Sequence, residues 1–152
     1  MIVIKKNSKI FLMMSILIMS VFIFASCGKA NKESSVKEVD IYDVVKEAFL
    51  TDKGYSKELS KYISKDVFER TNIYNTYNAS DPKYKKPFKV QFYLNEDSQS
   101  KEKDIIYVKM IYTVEIKDSE NKVVGASGNI PITFTVEKVN DSWYITDKYE
   151  PA

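Results

Sequence analysis

From residue 36 onward the chain carries two different apolar periods, one after the other. Between Ser35 and Gly54 the apolar residues Ile41, Val44, Val45, Ala48 and Phe49 recur at the spacing of one buried helix face. Asp40, Asp43, Lys46 and Glu47 fall on the opposite face. Ser35 stands three residues before Glu38, a capping-box pattern, and Gly54 is a stop signal, so the spacing predicts a helix over 36–52. Ser56 and Ser64 are further candidate caps. Leu59, Tyr62 and Ile63 predict a short helix at 57–63, and Val67 and Phe68 another at about 65–70. From Asn72 to Lys86 the chain is polar, with Tyr74, Tyr77, Tyr84 and the pair Asp81-Pro82. It reads as a loop or irregular crossing, of a length that in small domains is usually functional or mobile.

After Pro87 the period becomes two. Phe88, Val90, Phe92 and Leu94 share one face, with Lys89, Gln91 and Tyr93 opposite. The stretch 95–103 is charged in both signs and reads as a turn region. Ile106, Val108, Met110, Tyr112, Val114 and Ile116 then form a long apolar face. Its reverse holds Ile105, Tyr107, Lys109, Ile111, Thr113 and Glu115. A hairpin loop at 118–121 leads to a third strand at about 122–138, with Ile130, Ile132, Phe134 and Val136 on one face. Gly125, Gly128 and Pro131 mark bulges or bends in it. Asn140-Asp141 is a tight hairpin turn, and the last strand, 142–149, places Trp143, Ile145 and Tyr149 together. Helices followed by a meander of four strands define an α+β domain.

The first 26 residues follow neither period. A cationic start (Lys5, Lys6, Lys9) precedes an apolar run from Ile10 to Phe24 that is interrupted only by Ser15 and Ser20. This is the shape of a secretory signal, and the run is short of the roughly 20 residues of a spanning helix. It ends in Phe24-Ala25-Ser26-Cys27, which resembles the lipobox of bacterial lipoproteins. The resemblance implies cleavage between Ser26 and Cys27 and a diacylglycerol on the Cys27 thiol. Each buried methylene of such chains contributes about 0.8 kcal/mol, and two or more chains anchor stably. Residues 27–35 then form the lipidated cysteine and a polar tether. The seven residues 28–34 span at most about 25 Å, so the domain at 36–152 stays near the membrane surface.

Composition narrows the chemistry. The chain has 23 basic and 21 acidic residues, and without the three leader lysines the balance is 20 against 21, a net charge of −1. The basic excess thus lies in the leader, which argues against nucleic acid as a partner. Without histidine there is no imidazole base and no ordinary zinc site. The single cysteine excludes an internal disulfide, and no Gly-rich phosphate loop, calcium loop or Gly-x-Ser-x-Gly elbow is present. No metal and no cofactor is expected.

The order of elements over about 36–149 resembles the cone-shaped nuclear-transport-factor-2-like superfamily, in particular small lipoproteins of low-GC Gram-positive bacteria. The resemblance rests on the helix register at 41–49, the Leu59, Tyr62, Ile63 step, the long strands, and the ending Phe134 to Asp147 with Trp143 and Ile145. It implies a helix and one or two short helices on a curved four-stranded antiparallel meander. Helix-then-meander also fits a cystatin-like fold. Enzymes of the superfamily resemble ketosteroid isomerase and work with Asp, His and Tyr inside the cone. Here Asp43, Asp104 and Asp147 lie near apolar runs, and the chain has 11 tyrosines. An Asp base with a Tyr donor is therefore conceivable. The ordinary accounts are a solvated carboxylate, amphipathic Tyr packing and a core Trp143. The outer face around Lys109 reads either as a partner surface or as a face wrapped by the helices and the 72–86 crossing. The expected role is a membrane-anchored extracytoplasmic lipoprotein with a non-enzymatic binding or accessory function. Its partner would be an envelope protein, a peptide or an apolar small molecule, and a homodimer through the sheet is conceivable. The alternatives are a small isomerase or lyase, and an immunity lipoprotein that sequesters a peptide antibiotic.

Overall fold

A computed structural model describes residues 37–151. The leader, Ser26, Cys27, the tether and the Ser35 cap lie outside the described residues. The order is α1 (Tyr42–Leu50), a 3-10 turn (Leu59–Lys61), α2 (Lys65–Thr71), α3 (Ile73–Thr76), β1 (Lys89–Glu102), β2 (Ile105–Lys117), β3 (Val123–Val139) and β4 (Ser142–Tyr149). The strands form one antiparallel sheet in the order β1-β2-β3-β4. The protein is α+β, with a few short helices on an open four-stranded meander.

The first helix begins six residues later than its period predicts. The cause is Gln99 on β1. Its Oε1 accepts from the amides of Glu38 (2.9 Å) and Val39 (3.2 Å), and its Nε2 donates to the Val39 carbonyl (2.7 Å). A side-chain amide offers both halves of a backbone pair, so residues 38–39 join the sheet edge instead of a helical turn. Glu38 forms a 3.4 Å ion pair with Lys101. The predicted helix at 57–63 shrinks to the single 3-10 turn, with Ser56 Oγ accepting from the Leu59 amide at 3.0 Å. The caps at α2 behave as expected: Ser64 Oγ accepts from the Val67 amide at 3.2 Å.

The charged stretch 95–103, expected as a turn, is strand almost to its end. β1 pairs with β2 through Glu102↔Ile105, which leaves Lys103 and Asp104 as the turn. Lys103 takes the left-handed conformation at φ 55. Asp97 is the extra residue of a bulge between Glu96 and Ser98, and the mixed charges that suggest a turn lie on an exposed edge strand instead. The Asn140-Asp141 turn is as expected, with φ 50 and 62, the signature of a type I′ hairpin.

The core lies between the helices and one face of the sheet. Val45, Ala48 and Phe49 of α1 and Val67 and Phe68 of α2 meet Ile106, Val108, Met110, Val114, Ile116, Ile132, Phe134, Val136 and Ile145. Phe49 packs between Phe92 and Tyr112, with ring centroids 5.0 and 4.8 Å away. Tyr77, from the crossing after α3, packs against Gly125, where an added Cβ would overlap its ring. The crossing therefore closes the inner face of the sheet.

Candidate functional site

Three arrangements carry polar or exposed groups with functional potential: an ionic cluster at one end of the inner face, two clefts, and the outer face of the sheet.

The ionic cluster arises from a bulge. β3 and β4 pair as Thr135↔Asp147 and then Val136↔Ile145, so Thr146 is an extra residue. One extra residue inverts the facing of everything beyond it. Tyr149, expected to face inward with Trp143 and Ile145, points out and is 66% exposed. Lys148 points in instead, its side chain 8% exposed, and pairs with Glu150 at 3.0 Å. The same Glu150 oxygen accepts from the Tyr112 hydroxyl at 3.3 Å. Nearby, the Tyr77 hydroxyl donates to Ser127 Oγ at 2.5 Å. Burial, followed by the Glu150 charge, pushes the Tyr112 hydroxyl pKa well up, so it stays a proton donor at neutral pH.

The carboxylates singled out from the sequence do not join this cluster. Asp43 is exposed on the outer side of α1, and Asp104 is exposed in the β1–β2 turn. Asp147 forms a 2.6 Å ion pair with Arg70, whose hydrogen bond holds its carboxyl below the usual range. None of the three hydrogen-bonds a tyrosine hydroxyl among the described residues. The carboxylate that does, Glu150, was not singled out, because its approach to Tyr112 depends on the bulge at Thr146. No group of three or more possible metal ligands occurs among the described residues. No described helix is long and apolar enough to cross a membrane.

The first cleft, of about 390 Å³, opens beside the crossing and is bordered by Asp52, Tyr74, Asn75, Ser80, Lys86 and Phe88. The second, of about 410 Å³, lies between residues 38–44, Tyr62 and the start of β4. Trp143 is half-buried there and packs against the core on the expected face. The Lys138 ammonium sits 5.3 Å from its ring centroid.

The outer face presents a different surface. Cross-strand pairing sets Tyr93 beside Thr113, Asn95 beside Ile111 and Pro131, and Lys109 beside Thr133 and Tyr149. Tyr107 and Thr135 follow in the next row. Tyr93 is 70% exposed and Ile111 37% exposed. Neither these residues nor Tyr107 belongs to the core. The crossing at 72–86, one of the two covers considered for this face, packs on the inner side through Tyr77.

No protein-family model matches the chain, and no curated protein is similar to it in sequence.

Proposed function

We propose that this protein is a lipid-anchored lipoprotein of the extracytoplasmic membrane face, and that its domain, read as a nuclear-transport-factor-2-like cone, binds a protein partner through the outer face of the sheet. The anchor reading rests on Phe24-Ala25-Ser26-Cys27 behind its apolar run. The binding reading rests on one observation: an uncovered sheet face that presents Tyr93, Ile111 and Tyr149 to solvent. Exposed tyrosines grouped around aliphatic positions are the composition of interface hot regions. An isomerase is the weaker reading. It asks for a free carboxylate base beside a tyrosine donor, whereas Glu150 is engaged by Lys148 and the three aspartates lie at the surface.

The two halves have separate tests. Cys27→Ala should release the protein from the membrane fraction, and intact-mass analysis of the parent should show an acylated Cys27. Unmodified Cys27 in membrane-bound material would sink the anchor. A photo-crosslinker placed at position 93 in intact cells should join a discrete partner, and one at the exposed helical position 47 should not. A second copy of the chain is recognised by the mass of the product. Crosslinks no more frequent from 93 than from 47 would end the outer-face assignment.

A further inference from the structure

Buried polar side chains are costly, and three occur among the described residues: Thr71, Asn72 and Asp118. Two of them fix backbone next to residues that line the first cleft. Asn72 Nδ2 donates to the carbonyls of Ala48 (3.0 Å) and Thr51 (2.8 Å), which fixes the end of α1 immediately before Asp52. Its Oδ1 also accepts from the Asn75 amide, at the start of the turn that carries Tyr74 and Asn75. Asp118 accepts from the Lys85 amide at 3.3 Å, while the Ser119 amide donates to the Lys85 carbonyl at 2.8 Å. The residue before Lys86 is thus held on both sides of its backbone. Burial opposes the Asp118 charge, but the amides of Lys122, Lys85 and Glu120 outweigh it and hold the carboxyl below its usual range.

The backbone they fix adjoins Asp52 and Lys86, opposite charges that line this cleft together with Tyr74 and Phe88. Asp52 and Lys86 border one cleft, yet neither forms an ion pair among the described residues. Tyr74 and Phe88 line the same cleft, with ring centroids 6.1 Å apart. Burial and then the Asp52 charge push the Tyr74 hydroxyl pKa up. The volume of about 390 Å³ lies within the range of small-ligand sites.

We propose that this cleft binds a free amino acid with an apolar side chain, its ammonium on Asp52, its carboxylate on Lys86 and its side chain against Tyr74 and Phe88. Asn75 and Ser80 line the remaining wall and supply hydrogen bonds. A zwitterion satisfies both charges at once, whereas an ion of either sign leaves one unpaired. The site is separate from the outer face and does not depend on it.

The test is equilibrium dialysis of the full-length chain in detergent against radiolabelled L-phenylalanine. Saturable binding is expected. N-acetyl-L-phenylalanine and L-phenylalaninamide each lack one charge and should compete roughly twofold to fivefold less well, the range of one exposed ion pair. Asp52→Asn should erase the preference over the N-acetyl form, and Lys86→Met the preference over the amide. Neither residue is in the core, so the thermal midpoint should hold. Should a variant fail to fold, the analogue series on the unaltered chain still decides. No saturable binding, or equal competition by all three compounds, overturns the proposal. Glycerophosphoethanolamine carries both charges without the apolar body. Stronger competition by it than by L-phenylalanine also overturns the amino-acid assignment and gives the cleft to lipid headgroups.

Discussion

The two faces of the sheet share the same strands and the same alternation, yet they meet opposite fates. On the inner face Ile106, Val108, Met110, Val114 and Ile116 are buried under α1, α2 and the crossing. On the outer face of the same strand, Ile111 is exposed and Tyr107 is half-buried. The outer face is not polar enough to be merely a solvated back, and not apolar enough to need a permanent cover. Such intermediate character suits a surface that is covered part of the time.

The largest expected effect separates the faces outright. Phe134 is fully buried on the inner face, so Phe134→Ala should lower the unfolding free energy by about 3–5 kcal/mol. Tyr93→Ala, on the outer face, should change it by no more than about 0.5 kcal/mol. Urea unfolding of a chain beginning at residue 36 measures both. A large cost at Tyr93 would mean that the outer face is structural, and would break the contrast.

A second comparison uses two glycines of β3. Gly125→Ala pushes a methyl into the Tyr77 ring, 2.2 Å from its Cδ1, and should cost about 1–3 kcal/mol through overpacking. Gly128→Ala meets nothing within 4 Å and should be nearly neutral. Equal effects would show that the crossing does not close the inner face as described.

The smallest effect is conditional on pH. Asp118 holds its carboxyl below the ordinary value of 3.8, so its ionised form stabilises the fold above that value. The contribution fades as pH falls from about 3.8 through the lower folded value. Asp40, Asp81 and Asp147 shift in the same direction, so the informative quantity is the gap between parent and Asp118→Asn. The variant should melt lower at pH 7, and the gap should close as the pH falls through the lowered folded value of Asp118. A gap that stays constant with pH would show that the carboxylate charge is not what clips the crossing to the β2–β3 loop.

Much of the site was hidden for identifiable reasons. The amides that Asp118 gathers from Glu120 and Lys122 are local, and an Asp opening a hairpin loop is a known turn former, so that half had a signal. Its bond to Lys85, 33 residues away, had none. Asn72 looked like the first residue of a loop, and nothing local distinguishes that from a residue that caps α1 from a distance. Asp52 and Lys86 are ordinary exposed charges until the fold sets them in one cleft.

The sequence by itself determined the α+β order, the inner face of β2 from Ile106 to Ile116, the burial of Phe134, the caps at Ser56 and Ser64, and the Asn140-Asp141 turn. All of these follow from short-range periodicity or from bonds spanning three residues or fewer. Only the tertiary structure decided the late start of α1, the length of β1, the reversal of Lys148 and Tyr149, and which sheet face the crossing covers. Each of those depends on how one segment pairs with or packs on another. A bulge exists only relative to the strand it pairs with, and Gln99 can outcompete a helical turn at Val39 only once β1 lies alongside.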